Sequence, residues 1–221
     1  MLRSKLAIIL LCLLCVSCTS NKSALFNTYG PPQPLYQRGN QYAKGIGVPR
    51  DDAKAVHYYQ LAAEQGYAQA QLALANMYRT GRGVPRDYTL AAQWYAKAAK
   101  QKNQQAEQSL GLRYLLGQGV EQDNEKAFYW FKQAAEQDNA LAQNELAYMY
   151  AAGKGTPQNY TQAFLWYQRA ANHGLSSAEY NLAMFYANGI GTPVNKALAK
   201  QWLQKSAAHG FGPAQSALKK L

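Results

Sequence analysis

Gly-x-Gly occurs at Gly45/Gly47, Gly81/Gly83, Gly117/Gly119, Gly153/Gly155 and Gly189/Gly191, five copies spaced 36 residues apart without an insertion. A fixed period of this length marks a repeat architecture, in which one small supersecondary unit stacks on copies of itself. The same register carries Tyr42, Tyr78, Tyr114, Tyr150 and Tyr186, then Ala55, Ala91, Ala127, Ala163 and Ala199. It continues with Ala70, Ala106, Ala142, Ala178 and Ala214, and with Leu74, Leu110, Leu146, Leu182 and Leu218.

Each unit holds two helical patterns. Ala70, Leu74, Met77 and Tyr78 fall on one face of a first helix, and Ala91, Trp94, Tyr95, Ala98 and Ala99 on one face of a second. Between them, glycines suited to end a helix in the left-handed region precede Pro85 and Asp87, which suit the start of the next. The connector is short, so the two helices lie antiparallel. Composition agrees. The apolar share of 48% is supplied by Ala and aromatics, with 17 Tyr, and Val, Ile and Thr are few, which favours helix over sheet. One hairpin cannot cover its own apolar stripe, so the period predicts an all-α solenoid with a continuous core. Trp94, Trp130, Trp166 and Trp202, with Tyr58 in the matching slot, can form a ligand-stacking ladder, but their spacing beside Ala assigns them to the core.

The chain before the repeats reads differently. Arg3 and Lys5 precede an apolar run from Leu6 to Val16 that is too short to span a bilayer, the pattern of a signal peptide over residues 1–17. The segment Cys15-Val16-Ser17-Cys18 resembles a bacterial lipobox, which implies lipidation at Cys18; the alternative is cleavage a few residues downstream. Residues 18–34, with several prolines, have the composition of a tether, and 35–221 form the solenoid, with a weak first helix as cap and half a repeat at the far end. Cleavage before Cys18 removes Arg3 and Lys5, so 21 basic against 12 acidic side chains remain, a net +9. All three cysteines lie within the first eighteen residues, so no disulfide forms in the repeats.

The run Gln71-Leu74-Ala75-Tyr78-Gly81-Gly83-Val84-Asp87-Ala91-Trp94-Tyr95-Ala98-Ala99 resembles the SEL-one-like repeat, a relative of the tetratricopeptide repeat with a longer inter-helix loop. The resemblance covers Leu35 to the C-terminus. Lys102 and Asp138 depart from it at the helix end filled by Gly66, Asn159 and Asn195 replace Asp, and Thr156 and Thr192 replace Val. It implies a scaffold that holds a partner peptide or protein on the concave face lined by first helices. Cysteine-rich members of the family imply a second reading, β-lactam binding or hydrolysis. Those members carry a disulfide in each repeat and this chain carries none. Regulation of an envelope enzyme or receptor by docking is a third.

No Gly-x-Ser-x-Gly elbow, His-Glu-x-x-His pair or Cys-x-x-Cys site follows the signal segment, so no enzyme, cofactor or metal is expected. His173 and His209 share one repeat column and read as solvated helix ends. Export argues against nucleic acid as the target of the positive charge. Anionic lipid, lipopolysaccharide or an acidic protein would meet the same field. The expected site is a bacterial envelope, on an outer-membrane lipoprotein facing the periplasm, or else a soluble periplasmic or secreted protein. At 100° per residue, the columns opposite the buried arc of the first helices vary most between copies. From them Leu72, Asn76, Arg79, Leu112, Leu115, Asn144, Tyr148, Tyr180 and Met184 are expected to contact the partner, because apolar and aromatic side chains there exceed what a solvated face needs.

Overall fold

Each second helix starts on a side-chain cap and each complete first helix ends on a glycine. In the computed structural model, which describes Ala24 and residues 28–220, Asp51, Asp87, Asp123, Asn159 and Asn195 all accept from the backbone N–H three residues on. Such a bond satisfies one of the free donors of a helix start, so Asn159 and Asn195 do the work of the Asp they replace. Gly81 ends its helix with φ 70°, and its N–H and that of Arg82 both donate to Met77 O, at 2.9 and 3.1 Å. Asp87 N then donates to Tyr78 O at 2.9 Å, folding the loop back on the helix it left.

Eleven helices result among the described residues: α1 Pro32–Lys44, α2 Asp52–Glu64, α3 Ala68–Thr80, α4 Tyr88–Ala99, α5 Gln104–Leu116, α6 Asn124–Glu136, α7 Ala140–Ala152, α8 Tyr160–Asn172, α9 Ser176–Asn188, α10 Lys196–Ala208 and α11 Gly212–Leu218. Odd-numbered helices are the first helices of the repeats, and the fold is an all-α solenoid. The first helix begins at Pro32 rather than Leu35, with proline in its first turn, where the missing N–H costs nothing. The signal segment 1–17 and Cys18 lie outside the described residues. Among the described residues no helix is long and apolar enough to cross a membrane.

Two compact units divide the chain after Gln101. In the first, α1–α4, the core gathers Leu35, Val56, Tyr59, Leu74 and Met77 around a bed of alanines. In the second, α5–α11, Phe131, Leu146, Met149, Trp166, Tyr167, Leu182 and Phe185 pack together, and Leu203 joins Ala183 and Ala214 in a smaller cluster. The repeat alanines at 55, 70, 91, 106, 127, 142, 163, 178, 199 and 214 are all fully buried.

The second glycine of three loops has a separate task. A Cβ on Gly83 would collide with the backbone of Asp52, one on Gly155 with that of Asn124 and one on Gly191 with that of Tyr160. Each obstacle is the first residue of the preceding repeat's second helix. In these loops the first glycine therefore ends a helix, and the second lets the loop lie against the repeat before it.

The tryptophan column is less buried than its spacing suggests. Trp166 is buried, but Trp94, Trp130 and Trp202 are half-buried, and the interior is filled by the adjacent column Tyr59, Tyr95, Phe131, Tyr167 and Leu203. The buried arc is centred on that column, which leaves the tryptophans at its edge. There Lys97, Arg169 and Lys205 lie over Trp94, Trp166 and Trp202, with 3.6, 4.5 and 4.2 Å from cation to ring centroid. Trp130 meets Tyr129 edge-on instead.

Candidate functional site

Three of the residues expected on the partner face serve the fold. Asn76 is half-buried and its Oδ1 accepts from the Tyr95 hydroxyl at 2.6 Å, as Asn40 accepts from Tyr59 at 2.8 Å. Burial pushes the Tyr59 hydroxyl up to about 12, so this donor keeps its proton. Where the buried aromatic is Phe131, which has no hydroxyl, the position matching Asn76 is Leu112, and both Leu112 and Leu115 pack against the core. The physical reason is geometric: a wheel drawn for one helix ignores the second helix of the same hairpin, from which Tyr95 reaches Asn76.

Asn144 is tied between repeats, accepting from Asn181 Nδ2 at 3.2 Å while donating to Glu145 Oε1 at 3.3 Å. Burial raises the Glu145 carboxyl above its usual value. Leu72 is half-buried on α3, and Arg79 is exposed in its last turn. Tyr148 is 39% exposed, and Lys154 both donates to its hydroxyl at 2.9 Å and lies over its ring. Tyr148 thus presents an oriented aromatic face to solvent.

The remaining two expected residues come together. Tyr180 and Met184, one turn apart on α9, line a groove of about 670 Å³ in the second unit with Ala187, Asn188, Lys196, Pro213, Ser216, Ala217 and Lys220. Phe211 packs against the Tyr180 ring, with centroids 5.3 Å apart, and holds it in place. The wheel reading missed the groove's polar rim, because Lys196 lies on a second helix and Ser216 and Lys220 in the half repeat. The signal available in the sequence was charge: after Asp138 acidic residues almost cease.

A second set of polar residues recurs with the period. Gln71, Glu107, Gln143 and Glu179 are buried on successive first helices. Three of them meet a partner 30 residues on: Gln101 Nε2 donates to Gln71 Oε1 at 2.8 Å, Gln137 Nε2 to Glu107 Oε2 at 2.6 Å, and His209 Nδ1 lies 2.9 Å from Glu179 Oε2. His209 is therefore a pairing residue, and its reading as a merely solvated helix end is corrected. Its counterpart His173 is exposed and lies 4.0 Å from Asp138, and Gln143 Oε1 has no hydrogen-bond partner among the described residues. Burial raises the Glu107 carboxyl, opposed by the Gln137 hydrogen bond. These pairs join the end of a second helix to the first helix before it. Among the described residues no three His, Cys, Asp or Glu gather as a metal site. The geometry offers surfaces for binding.

A solenoid of paired helices with such surfaces belongs to the helical-repeat class of interaction proteins. The family model for the Sel1 repeat matches residues 35–67, 68–103, 104–139, 140–175 and 176–211, and the chain belongs to the Sel1 repeat family. Among solved structures it is similar to c5321, a protective antigen of uropathogenic Escherichia coli with an SLR fold, at 36% identity and TM-score 0.82 over 85% of this chain and 40% of that one. The chain thus spans two fifths of that antigen's length. It is also similar to a Sel1 repeat protein from Oxalobacter formigenes, at 29% identity and TM-score 0.81 over 93% of this chain and 84% of that one. An immunity protein from Pseudomonas aeruginosa matches at 25% identity and TM-score 0.52, over 83% of this chain and 66% of that one. No curated protein matches the chain. Sel1 repeats generally mediate protein–protein interaction, and the fold is generally a scaffold rather than an enzyme.

Proposed function

We propose that this protein is an exported, membrane-anchored scaffold that docks a partner peptide or protein on the face of its first helices. The observation that carries the reading is the pairing of exposed, oriented Tyr148 with the Tyr180–Met184 groove on that face of the second unit. Aromatic anchors held by their neighbours lose little freedom on binding, the character of residues that dominate interfaces. Export and anchoring rest on the signal segment and Cys18. The protein acts by holding a partner and uses no cofactor, metal or nucleic acid. The β-lactam reading has no support in the repeats, which lack cysteine.

Photo-crosslinking from position 148 in intact cells, followed by identification of the adduct, tests the docking face. Tyr148→Ala is expected to weaken the captured partner's binding by more than about 1 kcal/mol with an unchanged unfolding midpoint. Full affinity in that variant moves the site elsewhere, and parallel loss of stability identifies Tyr148 as structural. Mass spectrometry of the mature N-terminus is expected to find Cys18 acylated. An unmodified peptide beginning after Cys18 overturns the anchor.

A further inference from the structure

Ten of the chain's twelve acidic residues precede position 139. From 139 to 220 only Glu145 and Glu179 remain, against Lys154, Arg169, Lys196, Lys200, Lys205, Lys219 and Lys220. Neither carboxylate offsets those cations at the surface: Glu179 is buried against His209, and Glu145 is half-buried beside Asn144. The Tyr180–Met184 groove opens in this field with Lys196 and Lys220 on its rim and no acidic residue in its lining. Lys196 also stands where a cation is disfavoured. It is the first residue of α10, at the positive end of the helix dipole, where α2 and α6 carry Asp52 and Glu125 in their first turns.

We infer that this groove is the seat of an acidic peptide segment of the partner, which sets an apolar side chain on Tyr180, Met184 and Ala217 while its carboxylates meet Lys196 and Lys220. The inference rests on the scaffold reading and adds the partner's chemistry. The shape favours a peptide: the floor is apolar and the charge lies at the rim, so a polyanion without an apolar anchor leaves the floor uncovered. Rim charges govern encounter and salt dependence, and the buried floor governs residence.

Fluorescence anisotropy with the full chain tests it, using a labelled peptide of about ten residues in which Glu and Asp flank one Leu and one Phe, and a copy with Gln and Asn in their place. The acidic peptide is expected to bind at least tenfold more tightly than its amide copy and to weaken as salt rises. Lys196→Glu with Lys220→Glu, both exposed positions, and separately Tyr180→Ala, are each expected to reduce binding at least tenfold. Lys100→Glu, in the other unit, changes net charge away from the groove and is expected to leave binding unaltered. Equal binding of the two peptides overturns the inference, as does an equal loss in Lys100→Glu. Anionic vesicles or single-stranded RNA bound as tightly as the peptide, regardless of Tyr180→Ala, overturn it too. The two readings fail separately. A partner crosslinked at position 148 and retained by the double lysine variant sinks the acidic-peptide assignment and leaves the scaffold standing. Absence of any crosslinked partner, with lysine-dependent peptide binding intact, sinks the scaffold reading alone.

Discussion

At the residue scale the informative contrast lies among Gln71, Glu107, Gln143 and Glu179, which occupy one buried position and differ in how they are satisfied. Gln143 Oε1 has no such partner among the described residues: His173, in the column of Gln101, Gln137 and His209, sits by Asp138 instead. His173→Gln places at that point the residue that already works at 101 and 137. It is expected to supply the missing donor to Gln143 Oε1 and stabilise the protein by about 1 kcal/mol, since an unmet buried acceptor costs roughly 1–3 kcal/mol. Chemical denaturation measures it, and an unchanged midpoint shows that the new side chain does not reach. Glu107 gives a pH-dependent counterpart. Its folded carboxyl titrates above the unfolded value of 4.5, chiefly through burial. The native state therefore binds more protons across that interval, and its contribution to stability falls as pH rises from about 4.5 through the raised value. Glu107→Gln removes this fall while keeping an acceptor for Gln137. The variant is expected to gain stability over the parent at pH 7 and to lose the gain near pH 4, and melts at the two pH values check both statements.

At the scale of elements, the loop rather than the helix carries the most specific information. Gly47 and Gly83 share a loop position and a positive φ of 69° and 68°, yet a Cβ on Gly47 meets nothing within 4 Å, whereas one on Gly83 strikes Asp52. Gly47→Ala is expected to cost about 1 kcal/mol for the left-handed backbone alone. Gly83→Ala must also push neighbouring repeats apart, and is expected to cost at least about 2 kcal/mol. Equal losses in denaturation would show that loop contact with the preceding repeat contributes nothing. Neighbouring side chains on α6 make the same kind of test: Phe131→Ala is expected to cost roughly 3–5 kcal/mol and Trp130→Ala distinctly less, because Phe131 is fully buried and Trp130 stands at the edge. The order of the elements, their caps and their loop glycines were legible from spacing, because helix ends are local and Asp87 or Gly81 acts within a few residues of itself. Less of the docking face was legible. Asn76 reads as a free polar side chain in the sequence, yet Tyr95, 19 positions on, donates to it, and Leu112 reads as exposed, yet it packs against the core. Tyr148 is exposed, and Tyr180 and Met184 line a groove, so these three remain accessible. Lys196 and Lys220 could not be read from the first-helix wheel, because they reach the groove from other elements.

For the molecule as a whole, charge is the property that the fold does least to neutralise. Ion pairs such as Lys126–Asp123 at 2.7 Å and Arg50–Asp52 at 2.8 Å are exposed and close in sequence, a class of pair that contributes little. Asp52 is the best supported. Arg50 and then Arg82, from the next repeat's loop, hold its carboxyl down to about 2. Its contribution is complete above the unfolded value of 3.8 and is lost as pH falls from there towards 2. The remaining excess is repulsive, a formal +11 for the chain, and from 139 onwards seven Lys and Arg stand against only Glu145 and Glu179. Screening should relieve more repulsion than it removes attraction. The Debye length shrinks from about 30 Å at 0.01 M to about 8 Å at 0.15 M ionic strength, which is still longer than any of the ion pairs above, so screening acts more on charges farther apart than on those pairs. The melting temperature is therefore expected to rise between those two salt concentrations at pH 7, and to rise less in Lys200→Gln with Lys219→Gln, where some of the repulsion has already been removed. Thermal melts followed by circular dichroism decide it. A melting temperature that falls with salt would mean that the ion pairs outweigh the repulsion, and that the basic field is balanced within the fold rather than held open for an acidic partner.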